Sequence, residues 1–188
     1  STQQVYVYVP MTTIPNCTDN NSFTVTVVPY PVLAPVAPVV ECDSYTLPAI
    51  TVGNYYTGPG GTGTMLSAGD IITTSQTIYV YAEAGPTPCV TEDSFTVTIF
   101  YTPLVDARSD ALACEEFILD ALLVGNYYTG PGGTGTMLTA GTAIQTTQTI
   151  YIYAENPLHP VCNAENSFLV EVFSITADDP ADEQRCDN

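Results

Sequence analysis

Six cysteines, Cys17, Cys42, Cys89, Cys114, Cys162 and Cys186, are the residues of this 188-residue chain whose chemistry is most constrained by spacing. They keep one period, since 89 − 17, 114 − 42 and 186 − 114 are each 72 and 162 − 89 is 73. No two are close enough for the CxxC pairs of a zinc site, so disulfides in an oxidising compartment are expected. Three pairing schemes respect the period. One bond per repeat joins Cys42 to Cys89 and Cys114 to Cys162. A local scheme joins Cys17 to Cys42, Cys89 to Cys114 and Cys162 to Cys186, and a staggered scheme staples neighbouring repeats, for example Cys42 to Cys162. In a β-sandwich the first cysteine of a repeat and the turn that carries the second would sit at opposite ends. That weighs against one bond per repeat unless the Pro-rich segment 31–40 is a linker. Spacing alone leaves all three open. Each closed bond is expected to add about 2–4 kcal/mol, which matters for a unit with a small core.

Three other groupings could bind something. The loop Gly58-Pro59-Gly60-Gly61-Thr62-Gly63, and its copy from Gly130 to Gly135, fits the dinucleotide pattern GxGxxG. That pattern needs a following helix to face the pyrophosphate, and here Thr-Met-Leu and another turn follow, so a glycine-rich turn with positive φ is expected instead. Tyr55, Tyr56 and Thr57, with Tyr127, Tyr128 and Thr129, stand just before the two loops. Their rings could stack on a sugar with loop amides as polar contacts, although one tyrosine of each pair must point inward on a strand. Carboxylates gather at two recurring places: Glu41, Asp43, Glu115 and Glu116 beside the first cysteine of a repeat, and Glu92, Asp93 and Glu165 in the last hairpin. If repeats stack end to end, oxygen ligands from both places could hold calcium, the one cofactor the residues suggest; solvated surface charge is the plainer reading. The single histidine, His159, lies between prolines with no recurring acid or nucleophile beside it, so no catalysis is expected.

Charge narrows the partners. There are 20 Asp and Glu against 2 Lys and Arg, a net charge of −18, and the two cations are Arg108 and Arg185. Nucleic acid and anionic lipid both require clustered basic residues, so neither is an expected partner. Without lysine there is no Schiff base, no phosphate-cradling lysine and no lysine isopeptide cross-link. With 45% hydrophobic residues the chain should nonetheless fold, and with no apolar run of roughly 18 residues it should not insert directly in a membrane.

The elements that position these residues repeat as well. Val52 to Leu66, VGNYYTGPGGTGTML, recurs unchanged at Val124 to Leu138. Within each period the pattern is strand throughout: Ile78-Tyr79-Val80-Tyr81 and Ile150-Tyr151-Ile152-Tyr153 alternate aliphatic and aromatic residues, and Phe95, Val97 and Ile99 alternate with threonine. Turn signals divide each period into about seven strands. The expected fold is therefore all-β, a tandem array of small immunoglobulin-like or PKD-like β-sandwich repeats of about 72 residues. Residues 1–28 would be the end of one repeat, 29–100 and 101–173 two whole ones, and 174–188 the start of another. The Pro-rich segment is expected as an edge strand or a linker.

The blocks CDSYTLPAITVGNYYTGPGGTGTML, GDIITTSQTIYVYAE and CVTEDSFTVTI resemble the tandem repeats of giant cell-surface adhesins of gliding Bacteroidota, which are exported by type IX secretion. The resemblance covers nearly the whole chain and implies an extracellular filament or stalk. Its partners would be neighbouring repeats of the same chain and other filament subunits; surface polysaccharide is the partner that the rival reading below would take. The chain departs from the pattern at Tyr8-Val9-Pro10, where other repeats read Tyr-Ala-Glu, and in the longer loop around His159; a C-terminal sorting domain is not recognised. The rival expectation, from the residues, is an array of weak glycan-binding modules acting by avidity.

Overall fold

A computed structural model describes residues 1–10, 13 and 18–175, and divides between Ile99 and Phe100 into two compact units. Every regular element among the described residues is a strand. In the first unit an antiparallel hairpin of β1 (Thr2–Pro10) and β2 (Thr18–Thr26) precedes seven strands: β3 (Val39–Cys42), β4 (Tyr45–Thr46), β5 (Asn54–Gly58), β6 (Thr62–Leu66), β7 (Ile71–Ile72), β8 (Gln76–Ala84) and β9 (Cys89–Phe100). Five of these form a sheet in the order β3-β9-β8-β5-β6, and β4 pairs with β7 in a short ribbon.

The second unit repeats the plan with β10 (Ala111–Cys114), β11 (Phe117–Ile118), β12 (Asn126–Tyr128), β13 (Met137–Leu138), β14 (Ala143–Ile144), β15 (Gln148–Asn156) and β16 (His159–Phe173). Its sheet order is β10-β16-β15-β12-β13, its ribbon β11-β14, and β10 runs parallel to β16. Each unit is thus a small immunoglobulin-like β-sandwich.

Alternation along the strands builds the core. In β8, Ile78, Val80 and Ala82 are buried while Tyr79 and Tyr81 face outward, as period-2 strand geometry requires. The buried cluster of the first unit is Leu47, Tyr55, Ile72, Ile78, Val80, Phe95 and Val97. That of the second is Leu119, Tyr127, Ile144, Ile150, Ile152, Phe168 and Val170. The first five positions are 72 apart and the last two 73, so the one inserted residue falls in the last hairpin, outside the core. Edge-to-face aromatic pairs recur too, Tyr55 with Phe95 and Tyr127 with Phe168, both at 6.2 Å.

Two details depart from the sequence reading. Residues 31–38 are not a strand, and they do more than link, because Leu33 and Val36 pack against the first core; Val105 does so in the second. Proline cannot feed a ladder, but an extended Pro-rich segment can still place alternate side chains on apolar surface. The insertion around His159 makes a tight turn in which buried Asn156 is bonded at both polar ends: its amide donates to Tyr101 O at 3.1 Å and its oxygen accepts from Leu158 N–H at 3.0 Å. His159 itself stacks on Phe100, with ring centroids 5.0 Å apart.

Candidate functional site

The glycine-rich loop is the most elaborate local structure in each unit. Gly60 and Gly61 have φ of 67° and 68°, and Thr62 N–H donates to Pro59 O at 3.3 Å, which makes a type I′ turn between β5 and β6. Gly132 and Gly133 repeat it with φ of 65° and 67°. The turn lies over an outward tyrosine: a Cβ on Gly61 would stand 3.0 Å from the Tyr81 ring, and one on Gly133 would stand 2.7 Å from the Tyr153 ring. Several of its polar groups are already engaged. Gly60 N–H donates to the Glu92 carboxylate and Gly132 N–H to Glu165, while Thr57 Oγ1 accepts from Thr64 N–H and Thr129 Oγ1 from Thr136 N–H, each at 2.9 Å. The loop is therefore a lid on a tyrosine, held down by a carboxylate from the last hairpin.

This geometry corrects the sugar-platform expectation. Tyr55 and Tyr127 are 1% and 3% exposed and belong to the two cores, so neither can stack on a ligand. Tyr55 Oη donates to Pro48 O at 3.2 Å, and burial, followed by the neighbouring Tyr45, raises its pKa. Thr57 and Thr129 spend their hydroxyls within the loop. Tyr56 and Tyr128 remain half-buried, each edge-to-face with a tyrosine of the next strand: Tyr56 with Tyr81 at 6.0 Å and Tyr128 with Tyr153 at 6.2 Å.

Each of these pairs borders an open pocket that the sequence reading missed. The first, of about 360 Å³, is lined by Asn54, Tyr56, Tyr81 and Glu83 among others. The second, of about 350 Å³, is lined by Asn126, Tyr128, Tyr153 and Glu155 with the loop glycines. Tyr81 Oη donates to Glu83 at 3.4 Å and Tyr153 Oη to Glu155 at 3.1 Å. Partial desolvation first, then the adjacent carboxylate, raises both phenol pKa values. The signal was present in the outward alternation of Tyr79 and Tyr81, since Tyr56 pairs with Tyr79 and Asn54 with Tyr81 in the ladder.

The carboxylates do not assemble as a cation site within the described residues, where no group of three or more His, Cys, Asp or Glu comes together. Several are committed to backbone amides instead. Besides Glu92 and Glu165, Glu115 accepts from Ile175 N–H at 2.9 Å and Asp93 from Ser94 N–H at 2.8 Å. A charge-assisted bond of this kind organises a turn without any metal.

Cys42 and Cys162 are disulfide-bonded, whereas Cys89 and Cys114 are free thiols. One bond per repeat and the local scheme both require Cys89 and Cys114 to be paired, so neither describes this chain. Cys17 and Cys186 lie outside the described residues.

The second unit holds an electrostatic contact with no counterpart in the first, where Ala34 and Val36 occupy the equivalent places. Asp106 accepts from Leu123 N–H at 2.9 Å and Val124 N–H at 3.1 Å, and Arg108 stands 3.9 Å away. Against some desolvation, the Leu123 amide first, then the Val124 amide and Arg108, hold its carboxyl below the usual carboxylate range. A depressed folded pKa means that this stabilisation is complete above the unfolded value near about 4 and disappears as pH falls through the folded value. Asp106→Asn should therefore lower the melting temperature at neutral pH, and the gap from the parent chain should close on acidification below pH ~4. A gap that stayed constant with pH would show that the carboxylate charge contributes nothing there.

No helix among the described residues is long and apolar enough to cross a membrane. The chain matches no protein-family model and no curated protein. What fold and site define together is a pair of all-β, disulfide-bearing immunoglobulin-like sandwiches with the same core and the same carboxylate-anchored loop.

Proposed function

We propose that this chain is a structural and adhesive segment of a long extracellular stalk or filament, with no catalytic role. The observation that carries this reading is that core, lidded tyrosine and anchoring carboxylate recur together at a 72- or 73-residue offset, with Gly60 N–H and Gly132 N–H each engaged by a carboxylate of its own unit. A sequence selected for one site would vary its copies around that site, whereas a stalk needs only that each unit fold and adjoin the next. The disulfide at Cys42 and Cys162 suits an oxidising exterior. The net charge of −18 suits a surface polymer that must stay soluble and apart from its neighbours. The likeness of its blocks to gliding-type adhesin repeats of Bacteroidota supports the same reading and adds type IX export as the route.

The recurring pocket favours one other reading, weak saccharide binding beside Tyr56 and Tyr128. Immobilised polysaccharides probed with the intact chain separate the two. The stalk reading expects no saturable binding. Saturable binding abolished by Tyr56→Ala with Tyr128→Ala, at unchanged melting temperature, would replace it with the lectin reading.

A further inference from the structure

We propose that the open pocket beside Tyr128 and Tyr153 docks an extended proline-rich segment of a partner protein, the kind of segment that lines the first unit's own pocket at Pro31. The proposal goes beyond the stalk reading, to which it adds a class of partner, and does not depend on it.

The two units differ at this pocket. In the first, Pro31 lines it together with Asn54, Tyr56 and Tyr81. In the second, Asn126, Tyr128 and Tyr153 line it and no proline does, although Pro103 stands 72 residues after Pro31. The chain after Pro103 is tied elsewhere in its unit: Asp106 takes the amides of Leu123 and Val124, and Arg108 donates to Ala121 O at 2.9 Å. The first unit has Ala34 and Val36 at those places and can make neither contact. The pockets have volumes of about 360 Å³ and 350 Å³, so the second offers comparable room without a proline beside it.

The chemistry of the pocket suits that occupant. Tyr128 and Tyr153 meet at 84° with ring centroids 6.2 Å apart, as Tyr56 and Tyr81 meet at 88° and 6.0 Å. Two rings at a right angle form a corner and not a flat platform, which favours the ridge of a polyproline II helix over the face of a sugar. Such a helix makes no internal hydrogen bonds and its prolines carry no N–H, so it presents carbonyl oxygens and needs donors. The Asn126 amide and the Tyr128 hydroxyl border the pocket as donors, while the Tyr153 hydroxyl is committed to Glu155 at 3.1 Å. A segment already stiff when free also loses little freedom on docking. Glu155 borders the pocket and Glu165 holds down the loop beside it, so a basic residue flanking the prolines completes the charge match.

Amide NMR spectra of the intact, 15N-labelled chain test this by titration with a synthetic peptide of residues 29–38 carrying a C-terminal lysine pair. The control peptide has alanine at every proline and the same lysines. Gly125 and the Asn126 side-chain amide should shift saturably with the proline peptide and not with the control, while their counterparts Gly53 and Asn54 stay still. Pro31→Ala, which leaves Leu33 and Val36 to hold the segment on its core, should bring Gly53 and Asn54 into the response. Equal shifts with the control peptide would reduce the interaction to charge, and no saturable shift with either peptide would remove the site; each result overturns the proposal. An equal response of Gly53 and Asn54 in the parent chain would overturn it too, because Pro31 would then not be what occupies the first pocket. Shifts at Gly125 and Asn126 produced by dextran and not by the proline peptide would assign the pocket to sugar instead.

Discussion

Tyr55→Ala should destabilise the first unit by about 3–5 kcal/mol, the usual loss for an aromatic core residue cut back to alanine. The ring is 1% exposed, meets Phe95 edge-on at 6.2 Å and anchors its hydroxyl on Pro48 O, so truncation leaves a cavity and an unmet carbonyl. Tyr55→Phe keeps the packing and should lose only about 0.5–1.5 kcal/mol, the net worth of one hydrogen bond. Folded domains carry only about 5–15 kcal/mol in all, so the alanine variant removes a large share of the stability of a unit this small. Urea unfolding of the intact chain measures both values, and Tyr127→Ala should reproduce the first in the second unit. A loss under about 1 kcal/mol for Tyr55→Ala would mean the ring is not the core element described. The same burial makes Tyr55 and Tyr127 unusable as probes of sugar binding, since their removal would disturb binding by unfolding.

Gly133→Ala is the second large effect. The residue has φ of 67°, where a Cβ costs about 1–2 kcal/mol, and that Cβ would lie 2.7 Å from the Tyr153 ring. Pushing the ring aside adds a further overpacking term, so a total loss of about 2–4 kcal/mol is expected. Gly132→Ala has nearly the same φ, 65°, but nothing within 4 Å of its Cβ, and should lose only about 1–2 kcal/mol. The difference between neighbouring glycines isolates the lid contact from backbone strain. Equal losses in thermal unfolding would show that the loop does not rest on the tyrosine.

Much of this fold was legible because both of its signals are local. Alternation in Ile78-Tyr79-Val80-Tyr81 tells which side chains go inward, and Gly-Pro-Gly-Gly can hardly be anything but a turn with positive φ. The repeat then supplied a second, independent copy of every inference. What stayed hidden depends on residues far apart in sequence. Glu92 reaches Gly60 across 32 positions and ties the apparent ligand loop to its own unit. Leu33 and Val36 pack on the core from a segment whose prolines read only as an absence of strand. Asp106 and Arg108 escaped because a reading built on periodicity passes over residues that do not repeat. The choice among cysteine pairings was equally non-local, and it took the free thiols at Cys89 and Cys114 to narrow it.

A stalk must resist extension unit by unit, and single-molecule stretching of the intact chain under reducing conditions tests that most directly. The account predicts two successive unfolding events of similar size, each releasing roughly 72 residues, on the order of 250 Å at full extension. A chain that extends without discrete force peaks, or releases all its length in one event, would contradict it.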